Sequence, residues 1–359
     1  MPTLRRLGAA VGASFVLVLL AAAPADAHTI TGVTPTNYKS EVVAVSPPLP
    51  GVHVRLLDLG NRVELTNTGA ADVVVLGYQG EPYLRVGPGG VYENSRSPSV
   101  ALNKVTATTS ASTTTTVAPD NATALAPPSW RRTGGGRSVR WRDRRTRWEG
   151  PAPAVVRGAP SQTHVVIPEW LIGLQRGDVA ATVSGRITYV PGPSPVPWLL
   201  ISGVLLVAIA GGGLLRRWGP PLSAVMALLV AVDVVHSFGI SAASHDPVLT
   251  QVSRVVLGGI VATLGWIVGA AAIGPLQDER EGGVVGAAVA GFLLAAFSGV
   301  GDFSVLTRSQ VPFAFSASGA RAAVAVTMGA GFGLALAALV VLRRHPELRA
   351  TEASDPSSD

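Results

Sequence analysis

Cysteine is absent from the 359 residues. That excludes disulfides, thiolate metal sites and a cysteine nucleophile together, so an exported part of this chain has to be held by its core alone. Lysine is nearly absent too. Lys39 and Lys104 are the only two, and the formal net charge of +6 rests on arginine. Charged residues make up 14% of the chain against 48% apolar, where a globular protein has about a quarter charged. Catalytic signatures are missing as well. No H-E-x-x-H, G-x-S-x-G or paired-carboxylate motif occurs, and no glycine cluster is completed by the Lys-Ser/Thr of a phosphate loop. Gly134-Gly135-Gly136, in a basic stretch, reads as a turn. The sequence points to a membrane protein that is not an enzyme.

What is present begins with a secretory signal. Arg5 and Arg6 supply a positive end, Ala9 to Ala22 an apolar stretch, and Ala25-Asp26-Ala27 an A-x-A cleavage site, with a second at Ala23-Pro24-Ala25. An uncleaved first helix is the alternative. The stretch is shorter than the roughly 20 residues of a span and runs into Pro24, which favours cleavage. Five later stretches are long enough to cross a bilayer: Val196–Leu215, Leu222–Ala242, Val252–Ile273, Val284–Val300 and Ala322–Leu342. Arg216 and Arg217 follow the first and Arg343 and Arg344 the fifth, which places those ends inside and residues 28–195 outside. The loop of Asp278, Glu279, Arg280 and Glu281 is less decisive. Gly265/Gly269 and Gly329/Gly333 have the G-x-x-x-G spacing of close helix approach, read here as packing within one bundle rather than dimerisation.

Short β-type runs fill the exported part: Glu41–Val45, Val52–Leu57, Arg62–Thr66, Asp72–Leu76, Tyr83–Val86, Val139–Trp141, His164–Ile167 and Val179–Tyr189. They predict an antiparallel β-sandwich of immunoglobulin-like type. The expected class is therefore an α+β membrane protein: signal peptide 1–27, extracytoplasmic β-rich domain 28–190, Pro-rich linker 191–195, a five-helix transmembrane bundle 196–342 and a cytoplasmic tail 343–359. The Thr/Ser/Ala run of 106–127 has too little apolar bulk to pack and is expected to be a disordered loop. The sequon Asn121-Ala122-Thr123 reads as chance.

Four stretches carry a resemblance. Thr36-Asn37-Tyr38, the run from Val75 to Val86 with Gly77-Tyr78-Gln79-Gly80-Glu81-Pro82-Tyr83-Leu84-Arg85 at its centre, Val91 to Pro98, and Tyr189 to Pro195 resemble a family of actinobacterial membrane proteins. The resemblance covers nearly the whole mature chain and implies an exported domain ahead of membrane helices in the plasma membrane. It implies no activity. The family carries a segment of the form Trp-His-Asp-His-Arg-x-His-Trp. Here Trp141, Asp143, Arg145 and Trp148 match, while Arg142, Arg144 and Arg147 replace the three histidines. A protonated guanidinium offers no lone pair, so a metal site there would be lost.

Three constellations can carry chemistry. Eight arginines lie between Arg131 and Arg147, with Trp130, Trp141 and Trp148 among them. In a strand Arg140, Arg142 and Arg144 would share a face and, with Arg147, suit an anionic lipid headgroup or cell-wall polymer; nucleic acid is not expected outside the membrane. The plainer reading is a solvated strand with Asp143 and Glu149 as counter-charges. Second, cleavage after Ala27 makes His28 the first residue, whose imidazole and amine nitrogens suit copper. In layout this resembles exported copper-resistance proteins of the CopC type joined to a CopD-like helical domain, though no Met-rich or multi-His sequence accompanies it, and His53 and His164 are the only other histidines of that part. Third, Asp233 and His236 lie three apart in the second span and face one side. Intramembrane ionisable groups tend to mark ion or proton paths. Asp302 and His245-Asp246 could extend this path, and Arg254, Arg308 and Arg321 could pair with the acids; a structural Asp–His pair is the alternative. The leading expectation is cation handling at the cell surface, with copper as the cation and His28, Asp233 and His236 as its ligands. An anion-binding envelope module and a small transporter subunit stand beside it.

Overall fold

A computed structural model describes residues 33–104 and 123–349. The signal peptide, His28, most of the 106–127 run and the tail past Arg349 lie outside the described residues. The described residues form ten strands: β1 (Tyr38–Ser46), β2 (Val52–Leu57), β3 (Arg62–Asn67), β4 (Val73–Leu76), β5 (Pro82–Gly87), β6 (Gly90–Asn94), β7 (Trp130–Gly134), β8 (Ser138–Arg142), β9 (His164–Arg176) and β10 (Val179–Tyr189). Two-residue alternation decides their faces. In β3, Val63 and Leu65 are fully buried, and they oppose Leu56 and Val54 of β2 and Trp141 and Val139 of β8. These strands make a three-stranded sheet, ordered β2-β3-β8; the other seven form a sheet ordered β1-β10-β9-β4-β5-β6-β7, every pairing antiparallel. Both sheets feed one core through Val63, Leu65, Val75, Val86, Ile172, Leu174 and Ile187.

Two strands, β6 and β7, were not expected, and β9 runs to Arg176 rather than stopping at Ile167. Pro168 suggests an end there. The pairing with β10 is irregular between Ile187↔Ile167 and Gly185↔Trp170, and at a bulge proline's missing N–H breaks no ladder bond.

Among the described residues there are nine α-helices, in chain order α1 (Pro98–Lys104), α2 (Ala154–Gly158), α3 (Val196–Gly212), α4 (Gly219–Ala242), α5 (Val248–Ser253), α6 (Ile260–Gln277), α7 (Glu281–Leu293), α8 (Ser304–Thr307) and α9 (Ala317–Arg344). Among the described residues four helical stretches are long and apolar enough to cross a membrane: α4, α6, the 27 residues from α7 through α8, and α9. Helix α3 is apolar but has 17 residues, about 26 Å at 1.5 Å per residue. Two π-helical segments interrupt the pattern, Arg254–Gly258 after α5 and Leu294–Val300 after α7.

The G-x-x-x-G glycines face partners inside the bundle. A Cβ on Gly329 would lie 2.5 Å from the Ser202 carbonyl oxygen of α3, and one on Gly333 would lie 2.9 Å from Ile209 Cβ. Gly265 meets Leu294, and Gly269 meets Val230 and Met226. Ser202 Oγ donates to the Ala325 carbonyl at 2.9 Å, and Arg344 reaches the Leu214 carbonyl at 2.6 Å. Helices α3 and α9 therefore run side by side in the same direction.

The β part docks on two loops at one end of these helices. At the first, Arg62 donates to Asp246 Oδ1 at 2.9 Å and to the Ser244 carbonyl at 2.6 Å, and Arg140 donates to the His245 carbonyl at 2.7 Å. Asp246 also pairs with Arg254. At the second, Thr36 and Gln310 form a two-bond antiparallel bridge, Ser309 N donates to Asn37 Oδ1 at 2.9 Å, and Ser309 Oγ donates to the Val190 carbonyl at 2.8 Å.

Candidate functional site in the helical bundle

Helix α4 carries Asp233 and His236 one turn apart, both buried, where the bundle closes around them. A carboxylate at such a position needs donors. Asp233 Oδ2 receives Trp266 Nε1 of α6 at 2.7 Å and Ser298 Oγ at 3.2 Å. Ser298 belongs to the π-helical segment, whose extra residue per turn re-aims side chains. The segment also delivers Asp302 just beyond its end, with Oδ2 2.9 Å from His236 Nε2. Asp302 keeps 19% of its side chain exposed, whereas His236 keeps 2%. Burial is therefore graded, from Asp233 and His236 inside to Asp302 at the opening, with a hydrogen bond between the last two.

Two polar atoms of this set have no protein partner among the described residues: Asp233 Oδ1 and His236 Nδ1. When Nε2 carries the hydrogen facing Asp302, Nδ1 is a bare lone pair able to take a proton. Phe313 covers the imidazole at 5.6 Å between ring centres, and Ala314 N is tied to the Gly239 carbonyl at 3.0 Å. A Cβ on Gly239 would fall 2.2 Å from the Phe313 ring, so only glycine allows this lid to seat.

No protein-family model, curated protein or solved structure matches this chain.

The structure joins His236 to Asp302 by a hydrogen bond and leaves Asp233 one turn away on α4, but takes His245 and Asp246 elsewhere. Asp246 is held between Arg62 and Arg254, and the His245 carbonyl receives Arg140; both belong to the docking contact. Arg321 donates to the Val305 and Arg308 carbonyls rather than to an acid. Among the described residues no group of three or more His, Cys, Asp or Glu is arranged to hold a metal ion. His28 lies outside them.

The arginine row stops at Arg142, the last residue of β8; Arg144 lies in the 3-10 turn Arg144–Thr146. Arg140 is engaged by Glu64 at 2.6 Å as well as by His245. The residues that match the resembling segment have a structural task. Asp143, 1% exposed, accepts from Trp141 Nε1 at 3.0 Å and from Arg145 Nε and Nη2 at 2.9 and 2.8 Å, and the Arg145 guanidinium lies 4.6 Å over the Tyr78 ring. Glu81, also buried, accepts from Ser97 and Ser99 hydroxyls at 2.6 Å each. Sequence reasoning missed Trp266 and Ser298. A lone tryptophan and serine in apolar runs give no periodic signal.

Proposed function

We propose that this chain is a plasma-membrane protein that carries protons through its helical bundle as a small transporter subunit, along Asp233, His236 and Asp302. The observation that carries the reading is the set of groups itself: a buried carboxylate with an unpartnered oxygen, one helical turn from an imidazole with a free Nδ1 that is bonded to a partly exposed carboxylate. Proton relays within membranes use this set of groups. The proton is preferred to copper because His236 Nε2 is engaged by Asp302 and no third ligand joins it among the described residues. Copper at the mature N-terminus rests on His28 alone.

In this reading α3 also spans the membrane and brings the number of spans to five, because it lies along α9 from Ser202 to the turn at Gly213. The β domain, taken as an immunoglobulin-like sandwich, is outside and the C-terminus inside, as the signal peptide and Arg216, Arg217, Arg343 and Arg344 suggest. The experiment is a proton-flux assay in liposomes containing a pH dye, driven by a potassium diffusion potential. Flux above that of empty liposomes, reduced at least about tenfold in Asp233→Asn, is the expected result. Wild-type flux equal to the empty control, or unchanged flux in Asp233→Asn, overturns it.

A further inference from the structure

The three-stranded sheet has an apolar face, turned to the β core, and a polar face carrying Arg55, Arg62, Glu64, Arg140 and Arg142. The polar face is the one that docks. Arg62 and Arg140 bond to residues 244–246, at the end of the membrane helix α4. Arg142 sits directly opposite Arg62 in the register and two residues beyond Arg140, so all three side chains leave the sheet on the same side. That side is the level at which helix ends meet lipid headgroups.

Arg142 is half-buried, and its guanidinium makes no hydrogen bond or ion pair among the described residues. Arg144 and Arg147 are beside it and share a single carboxylate, Glu149: Arg144 Nε is 3.0 Å from Glu149 Oε2, and Arg147 contacts the other oxygen. Arg147 also donates to Asn61. Burial first, then the charges of Arg142 and Arg144, pull the Arg147 guanidinium below its usual value. Two guanidinium groups thus share one carboxylate and Arg142 has none, which leaves an excess of positive charge at this place.

We propose that Arg142, Arg144 and Arg147 form a binding site for the phosphate of an anionic lipid headgroup, presented to the bilayer by the docked small sheet. Planar guanidinium forks match phosphate oxygens in pairs, and Arg142 has its donors unspent. A headgroup carrying choline brings its own cation against the arginines and is disfavoured. Arg140 takes no part, since Glu64 and His245 use its donors.

The test uses the full chain in neutral detergent micelles, titrated with phosphatidylglycerol, with phosphatidylcholine, or with inorganic phosphate, and read by native mass spectrometry and the lipid-dependent shift in unfolding temperature. Phosphatidylglycerol is expected to bind in preference to phosphatidylcholine. Arg142→Gln should weaken it about tenfold, and Arg142→Lys less, since the charge survives without the fork. Arg131→Gln, on the other sheet and paired with Glu93, should bind as wild type. Without lipid Arg142→Gln should unfold at the wild-type temperature, because its side chain has no partner to lose. Equal binding by wild type and Arg142→Gln overturns the proposal, and so does an equal loss in Arg131→Gln, which would mean bulk charge. Inorganic phosphate competing as strongly as the lipid overturns the membrane source.

Discussion

Asp143 shows how much one buried carboxylate can organise. It caps the 3-10 turn through Arg145 N at 3.1 Å, holds the Trp141 indole and pairs with the Arg145 side chain at two points. Removing one partner of a buried ion pair leaves the other charge uncompensated, at a cost of about 3 kcal/mol. Asp143→Ala should therefore lower the unfolding temperature of the β domain more than any single substitution of Arg142 or Arg144, followed by tryptophan fluorescence. Asp233 is the contrasting residue. Its carboxylate has one satisfied and one free oxygen, so Asp233→Asn should stop proton flux while keeping the Trp266 contact and the fold. A collapse of the fold in this variant, seen as aggregation on size-exclusion chromatography, would assign the group to structure instead. The sequence made Asp233 and His236 legible, because charge is rare in an apolar run. Their link to Asp302 was legible only as proximity along one end of the bundle.

At the scale of elements, the small residues of α9 decide the packing. Gly329 admits the α3 backbone at a distance no side chain allows. Gly329→Val should separate α3 from α9. A disulfide engineered between Ser202→Cys and Ala325→Cys, expected to form with Gly329 in place because Ser202 Oγ lies 2.9 Å from the Ala325 carbonyl, should then form poorly. The G-x-x-x-G spacing was visible in the sequence and the reading of it as internal packing holds, but the identity of the partner helix was not visible there. The π-helical segment Leu294–Val300 was not legible either. No pattern in Leu-Ala-Ala-Phe-Ser-Gly-Val marks a π-helical turn, and its Ser298 and Gly299 meet Asp233 and Met328 only in the folded bundle.

At the scale of the whole molecule, the docking contact is electrostatic and should respond to acid. Burial raises the Asp246 carboxyl, but hydrogen bonds from Arg62 and Arg254 outweigh it and hold the group below the usual aspartate value. In Glu64, burial is likewise outweighed by Arg55 and Arg140. A carboxylate with a lowered folded value stabilises fully above its unfolded value, about 4, and loses that contribution as pH falls through the folded value. Protection of the β3 and β8 amides, measured against the intrinsic exchange rate at each pH, should therefore fall below about pH 4 and hold at neutral pH. Asp246→Ala should produce the same loosening at pH 7, because Arg62 and Arg254 lose a shared partner.

Composition and periodicity determined by themselves that this chain has an antiparallel β part and apolar helices, since a two-residue or all-apolar pattern has few other ways to satisfy its backbone. They also singled out Asp233, His236 and the arginine run. Only the tertiary structure decided what those charges do: Arg140 and Asp246 spend themselves joining the two parts, Asp143 and Arg145 satisfy each other, and Arg142 is left without a partner. Pairing across distant segments depends on distances that folding creates, and no local pattern in the chain encodes them.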